Sequence, residues 1–146
     1  MELITENLVI LDLECTTKEE VIKLMAKKVV EEGIAESYEE YLDSLYKREE
    51  IAPTSVGYDV GLPHGKSKTV KRPAIAFVRL KTPVIWNLED NENAKMIFML
   101  AIPDEGKGNS SINVLIDLSK KILNDSFREK INLTNDISEV VKMINE

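Results

Sequence analysis

Cysteine occurs once in this chain of 146 residues, at Cys15, and histidine once, at His64. One thiol cannot close an internal disulfide, and no Cys-x-x-Cys or Cys/His spacing offers a zinc site. No metal and no other cofactor is expected, and a reducing compartment is the natural setting. Aromatic residues are scarce, at 5%, so the core is expected to be mainly aliphatic. Positive charge is in deficit: 19 Lys and Arg stand against 26 Asp and Glu, giving a formal net charge of −7. Such a chain gains nothing from counterion release at nucleic-acid phosphates, which sets nucleic acid aside as a partner. No run reaches the roughly 18 apolar residues of a membrane span. The opening MELITENLVILDLE has neither a basic region nor a signal-length apolar stretch. The expectation is a cytoplasmic protein without direct membrane insertion. No repeat, low-complexity tract or linker-like stretch interrupts it, so residues 1–146 are expected to form a single domain.

What is present is a normal soluble balance, 43% hydrophobic and 31% charged. Leu8–Leu13 is short and β-prone. Thr17 and Glu20 form a capping box, followed by apolar residues at Val21, Ile22, Met25, Ala26, Val29 and Val30 in helical spacing, with Gly33 as the stop. Ser37 and Glu40 repeat the signal ahead of Tyr41, Leu42, Leu45 and Tyr46. Ile51 to Gly65 contains Pro53, Gly57, Gly61, Pro63 and Gly65 and reads as a shaped loop, with room for a short strand at Val60–Leu62. Ala74–Leu80 reads as a strand. Ala94–Ile102 is almost continuously apolar and reads as a central strand buried on both faces, ended by Pro103. Helical patterns return at Ser111–Leu123, around Phe127–Ile131 and at Ile137–Ile144. The alternation predicts an α/β fold: a three-layer α/β/α domain with a mixed β-sheet of about five strands flanked by helices.

His64 sits in Leu62-Pro63-His64-Gly65-Lys66. Imidazole is nucleophilic at neutral pH and can form a covalent intermediate. Pro63 fixes the backbone before it, and Gly65 allows a ligand or partner backbone to come close after it. Alone, a single histidine is more often a loop residue without chemistry, and a metal-ligand role lacks any second histidine or thiol pair.

The wider run alters that balance. Arg48-Glu49, then Pro53-Thr54-Ser55-Val56-Gly57, then Gly61-Leu62-Pro63-His64-Gly65-Lys66-Ser67 resembles, without a gap, the phosphorylation-site segment of the IIA proteins of the sugar phosphotransferase system (PTS), fructose/mannitol type. The likeness extends to Lys18-Glu19-Glu20 at a helix start, Pro83-Val84-Ile85-Trp86, Ala94–Pro103 and Ser126-Phe127-Arg128-Glu129-Lys130. It implies a phosphotransferase: His64 accepts a phosphoryl group from phospho-HPr as tele-phosphohistidine and passes it to a IIB cysteine, for sugar uptake through the membrane component IIC. The original donor is phosphoenolpyruvate. In-line transfer of this kind needs positioning and charge stabilisation. Arg48 offers a planar, permanently charged fork for phosphate oxygens, although by itself it reads equally as a solvated helix-end arginine. Thr54 offers a hydroxyl to phosphate or to the ring, or else to a turn. Lys66 adds charge nearby or is merely solvated.

The sequence departs from the family at several points. Ser111 stands where many members carry a second histidine, at the start of the helix Ser111-Ile112-Asn113-Val114-Leu115. Ser55, Tyr58 and Asp59 replace residues that are usually glycine, asparagine and glycine. Asp59 would oppose a phosphoryl group if it pointed inward. Two other readings stay open: a regulatory module of the nitrogen-regulatory IIA kind, which shares the motif, and a non-transferring relative in which His64 is structural.

Overall fold

Helix starts in this chain are written in side-chain hydrogen bonds. Thr17 accepts from the Glu20 N–H at 3.1 Å and opens α1, Lys18–Glu31; Ser37 accepts from the Glu40 N–H at 3.2 Å and opens α2, Tyr38–Ile51. The return arm of the first box lands one residue early, since Glu20 Oε1 takes the Thr16 N–H at 3.3 Å. The computed structural model describes residues 2–104 and 112–146. Within them the remaining elements are a 3-10 turn (Glu6–Leu8, which takes Leu8 out of the expected first strand), β1 (Val9–Leu13), β2 (Val60–Gly61), β3 (His64–Ser67), β4 (Ala74–Asn87), β5 (Glu92–Pro103), α3 (Ile112–Leu123), α4 (Asp125–Leu133) and α5 (Ile137–Asn145).

The five strands form one mixed sheet in the order β1-β4-β5-β2, with β3 also on β5. β4 and β5 make an antiparallel hairpin, while β1, β2 and β3 pair in parallel. Met96 to Ala101 of β5 is buried throughout, as is Ala74 to Leu80 of β4. Continuous burial of this kind belongs to strands covered on both sides. α1 and α2 pack together on one side, and α3, α4 and α5 form the other layer. Phe77 and Phe98 sit opposite each other in the hairpin with ring centroids 4.8 Å apart, and Phe127 of α4 lies 6.2 Å from Phe98. The three-layer α/β/α expectation holds.

Two further details differ from the sequence reading. β4 does not stop at Leu80 but runs on to Asn87. A register shift between Arg79 and Val84 absorbs Pro83, which could not donate to a regular ladder. And β3, unforeseen, is made by pairing: His64 lies opposite Leu100 and Ser67 opposite Pro103. β2 and β3 share one register on β5, with Val60 opposite Met96, Gly61 opposite Ile97 and Gly65 opposite Ala101. They are two lengths of a single edge strand, interrupted at Leu62-Pro63, where the Leu100 N–H still donates to the Pro63 carbonyl at 3.0 Å. A proline on the outer strand costs the sheet little.

Candidate active site around His64

After α2 the chain must reverse to enter the sheet edge. It does so through Gly57, Tyr58 and Asp59, whose φ angles of 84°, 57° and 58° are all left-handed. The turn is tied to β2 by Val56 N–H to Val60 O at 3.2 Å and by Leu62 N–H to Thr54 O at 2.8 Å. His64 then opens β3, and its Nδ1 lies 2.9 Å from the Leu62 carbonyl. A carbonyl can only accept, so Nδ1 carries the proton. The lone pair is left on Nε2, which has no hydrogen-bond partner among the described residues.

The two glycines flanking the motif are demanded by neighbours inside the protein. A Cβ on Gly61 would stand 2.7 Å from the Trp86 indole, and one on Gly65 would stand 2.2 Å from Ser44 Oγ. The space beside Gly65 is therefore filled by the chain's own α2, not kept for a ligand or partner backbone as the sequence suggested. Ser44 is itself fixed, donating to the Tyr41 carbonyl at 2.6 Å. The Tyr41 hydroxyl donates to the Leu100 carbonyl at 3.2 Å, opposite His64.

On its open side His64 lines a groove of about 620 Å³ with Ser44, Lys47, Arg48, Ile51, Lys66 and Lys68. Glu40, Asp43 and Asp104 also reach its wall, and Lys47 is paired with Asp43 at 3.0 Å. Arg48 Nη1 donates to the Ala52 carbonyl at 2.8 Å, which holds the guanidinium at the end of α2. Burial is the main cause that pushes the His64 pKa below its ordinary value near 6.5. The Leu62 carbonyl opposes that shift, Arg48 adds to it, and Glu49 opposes it. The ring is neutral at pH 7 and lines a groove of mixed charge, in which Arg48, Lys66 and Lys68 stand with Glu40 and Asp104 beside the Lys47–Asp43 pair.

The pattern described by the family model "Phosphoenolpyruvate-dependent sugar phosphotransferase system, EIIA 2" matches residues 2–146. The chain belongs to this family. It is 32% identical over 125 residues to the PTS system fructose-specific EIIA component of Haloferax volcanii, covering 86% of this chain and 80% of that one. It is 29% identical over 145 residues to the fructose-specific EIIABC component of Bacillus subtilis (strain 168), covering 99% of this chain but 23% of that longer protein. Its backbone matches the crystal structure of the nitrogen regulatory protein IIA-Ntr from Neisseria meningitidis with a TM-score of 0.85 at 26% identity, over 98% and 97% of the two chains.

In this IIA protein, then, His64 and Arg48 share one groove although they lie 16 positions apart. Thr54 does not open onto it. Thr54 is buried, its hydroxyl donates to Glu49 Oε2 at 2.5 Å and accepts from Trp86 Nε1 at 3.0 Å, and its N–H donates to Glu49 Oε1 at 3.2 Å. Its hydroxyl proton is thus directed at Glu49, and its link to His64 runs through backbone, by way of Leu62. Ser111 lies outside the described residues. Asp59 is exposed and lines a separate pocket with Tyr58, Lys95 and Arg128, where the Arg128 guanidinium stacks 3.7 Å from the Tyr58 ring centroid. Ser55 donates to Glu92 Oε1 at 3.0 Å. Sequence reasoning missed jobs for Glu49, Lys18, Trp86 and Ser44. The motif displayed Glu49 beside Arg48, and Trp86 is the only tryptophan; those were the available signals.

Proposed function

We propose that His64 Nε2 is the phosphoryl acceptor of this phosphotransferase-system carrier. The observation that supports this reading is the Nδ1–H bond to the Leu62 carbonyl, which frees Nε2 at a groove that also holds Arg48. The Nε2 lone pair forms a bond to the phosphorus of phospho-HPr as the donor's P–N bond breaks, and the electron pair leaves with the donor ring. Arg48 offers its fork to the phosphoryl oxygens, where charge is spread during transfer. A IIB cysteine thiolate then attacks the phosphorus, and the His64 N–P bond breaks. IIC at the membrane completes sugar uptake, of the fructose/mannitol class. The fructose-specific names of the relatives support that class, and the joined EIIABC relative supports the IIB and IIC partners. The chain acts as one EIIA domain in the cytoplasm. Consistent with this, no helix among the described residues is long and apolar enough to cross a membrane.

The test is phosphoryl transfer from phosphoenolpyruvate with purified enzyme I and HPr. Wild-type protein gives an acid-labile, base-stable phosphoadduct, and His64→Ala gives none. Label that persists in His64→Ala places the acceptor elsewhere.

A further inference from the structure

Outside the groove lining, four residues close a ring of hydrogen bonds, Trp86 through both its indole and its carbonyl. Lys18 Nζ donates to Glu49 Oε1 at 2.6 Å and to the Trp86 carbonyl at 2.9 Å. Trp86 Nε1 donates to Thr54 Oγ1 at 3.0 Å, and Thr54 Oγ1 donates back to Glu49 Oε2 at 2.5 Å. The ring joins α1, α2, the turn and β4. It is sheltered, with the Lys18 and Glu49 side chains only 21% and 12% exposed. Glu49 is its hub, since its carboxylate takes both the N–H and the O–H of Thr54 as well as the lysine.

From Thr54 a single path leads to the nucleophile. The Thr54 carbonyl receives the Leu62 N–H, and the Leu62 carbonyl receives His64 Nδ1–H. Leu62 has little freedom, because Gly61 before it lies against Trp86 and Pro63 after it is bonded to Leu100. A neutral imidazole can carry its proton on either nitrogen, and the partner of one nitrogen decides which. A carboxylate that holds Thr54, and through it Leu62, therefore bears on the tautomer by way of two residues.

Resting on the reading of His64 as phosphoryl acceptor, we propose that Glu49 is a positioning residue for the transfer. Through Thr54 and Leu62 it holds the ring with Nδ1 protonated and Nε2 free to attack. Arg48 and Glu49, adjacent in α2, then divide the work: one faces the phosphoryl group in the groove, the other fixes the ring from outside it. Glutamine at position 49 would keep the shape but lose the lysine pairing. It would also turn an amide NH2 toward one of the two Thr54 donors, so that bond fails.

The experiment uses the intact protein with nitrogen-15 in the imidazole. Ring NMR of the unphosphorylated protein reads the tautomer, and phosphorylation by enzyme I, HPr and phosphoenolpyruvate reads the rate. Wild type is expected to hold the Nδ1–H tautomer. Glu49→Gln is expected to mix the tautomers and to slow phosphorylation by about 10-fold or more, in line with the sensitivity of transfer to small misplacements. Thr54→Val should shift both readouts, and Thr54→Ser, which keeps the hydroxyl, should restore both. Should Glu49→Gln fail to fold, the Thr54 pair decides alone. A folded Glu49→Gln with an unchanged tautomer overturns the proposal, even if transfer slows, because the carboxylate then serves stability only. A wild type that is never phosphorylated on His64 overturns the acceptor reading instead, and the tautomer comparison still tests the hold on the ring.

Discussion

The two sides of His64 are built on opposite principles. Away from the groove lining, Lys18, Glu49, Thr54 and Trp86 bond to one another, and the Leu62 carbonyl takes the Nδ1 proton. In front, Arg48, Lys66 and Lys68 stand around an open groove in a protein whose net charge is −7. The closed side has little left to give to a substrate, and the open side has little to hold the ring with. With the roles proposed for Glu49 and Arg48, positioning and charge stabilisation are separated, and the dividing line falls between two consecutive residues of α2. The division fits phosphoryl transfer, which needs geometry and charge more than extra covalent chemistry.

The open side is broken most directly at Arg48. Arg48→Lys keeps the charge and loses the fork, so phosphorylation should slow by about 10-fold, roughly the weight of one charge-assisted bond. Circular dichroism and the thermal midpoint should stay at wild-type values. An unchanged rate would mean that the groove works through other donors.

The contact between the two sides is sharpened at Gly65. Gly65→Ala drives a methyl into Ser44 Oγ and should destabilise by about 1–3 kcal/mol, the usual range for overpacking. Ser44→Ala in the same chain should recover part of the loss in urea denaturation. Recovery would be incomplete, since the Leu45 nitrogen would still lie 3.2 Å from the new carbon. No loss in the single variant would mean that α2 can back away from β3.

The pH dependence probes how sheltered the ring is. Burial lowers the His64 pKa in the folded protein below the unfolded value near 6.5. The unfolded chain therefore binds more protons as the pH falls past 6.5, and the His64 contribution to stability is full above that pH. It is lost as the pH drops through the folded value. NMR titration of the ring should give a midpoint below 6.5, and a midpoint at or above 6.5 would refute the account. The smallest effect belongs to Asp59→Asn. Its side chain lines the Tyr58–Arg128 pocket, so phosphorylation should stay within two-fold of wild type.

Much of this was legible in the residues. Thr17 and Ser37 announced α1 and α2, because a capping hydroxyl is a local device whose partner lies three residues on. The apolar run at Ala94–Ile102 announced a strand covered on both faces. His64 stood out by its rarity and its motif. Non-local pairing hid the rest. His64–Ser67 has no strand signature of its own and becomes one by lying on β5. The strand read at Ala74–Leu80 continues to Asn87, and only the sheet shows Pro83 inside a register shift. Glu49 was visible in the motif, but its work depends on Lys18 and Trp86, which lie 31 and 68 positions apart from Glu49 and Lys18 respectively.

The unbroken register of β2 and β3 gives the nucleophile an address that is counted along β5. Leu100 marks the place of His64 along β5. The left-handed turn at residues 57–59 could lengthen without displacing the imidazole, so long as Thr54 keeps its bond to Leu62. An insertion of one residue between Gly61 and His64 is another matter. It would pass the histidine to the next rung, where its side chain would point the opposite way. That rung now belongs to Gly65, and Ser44 leaves no room there for any side chain. The fold thus tolerates drift around the site while rejecting a slip within it.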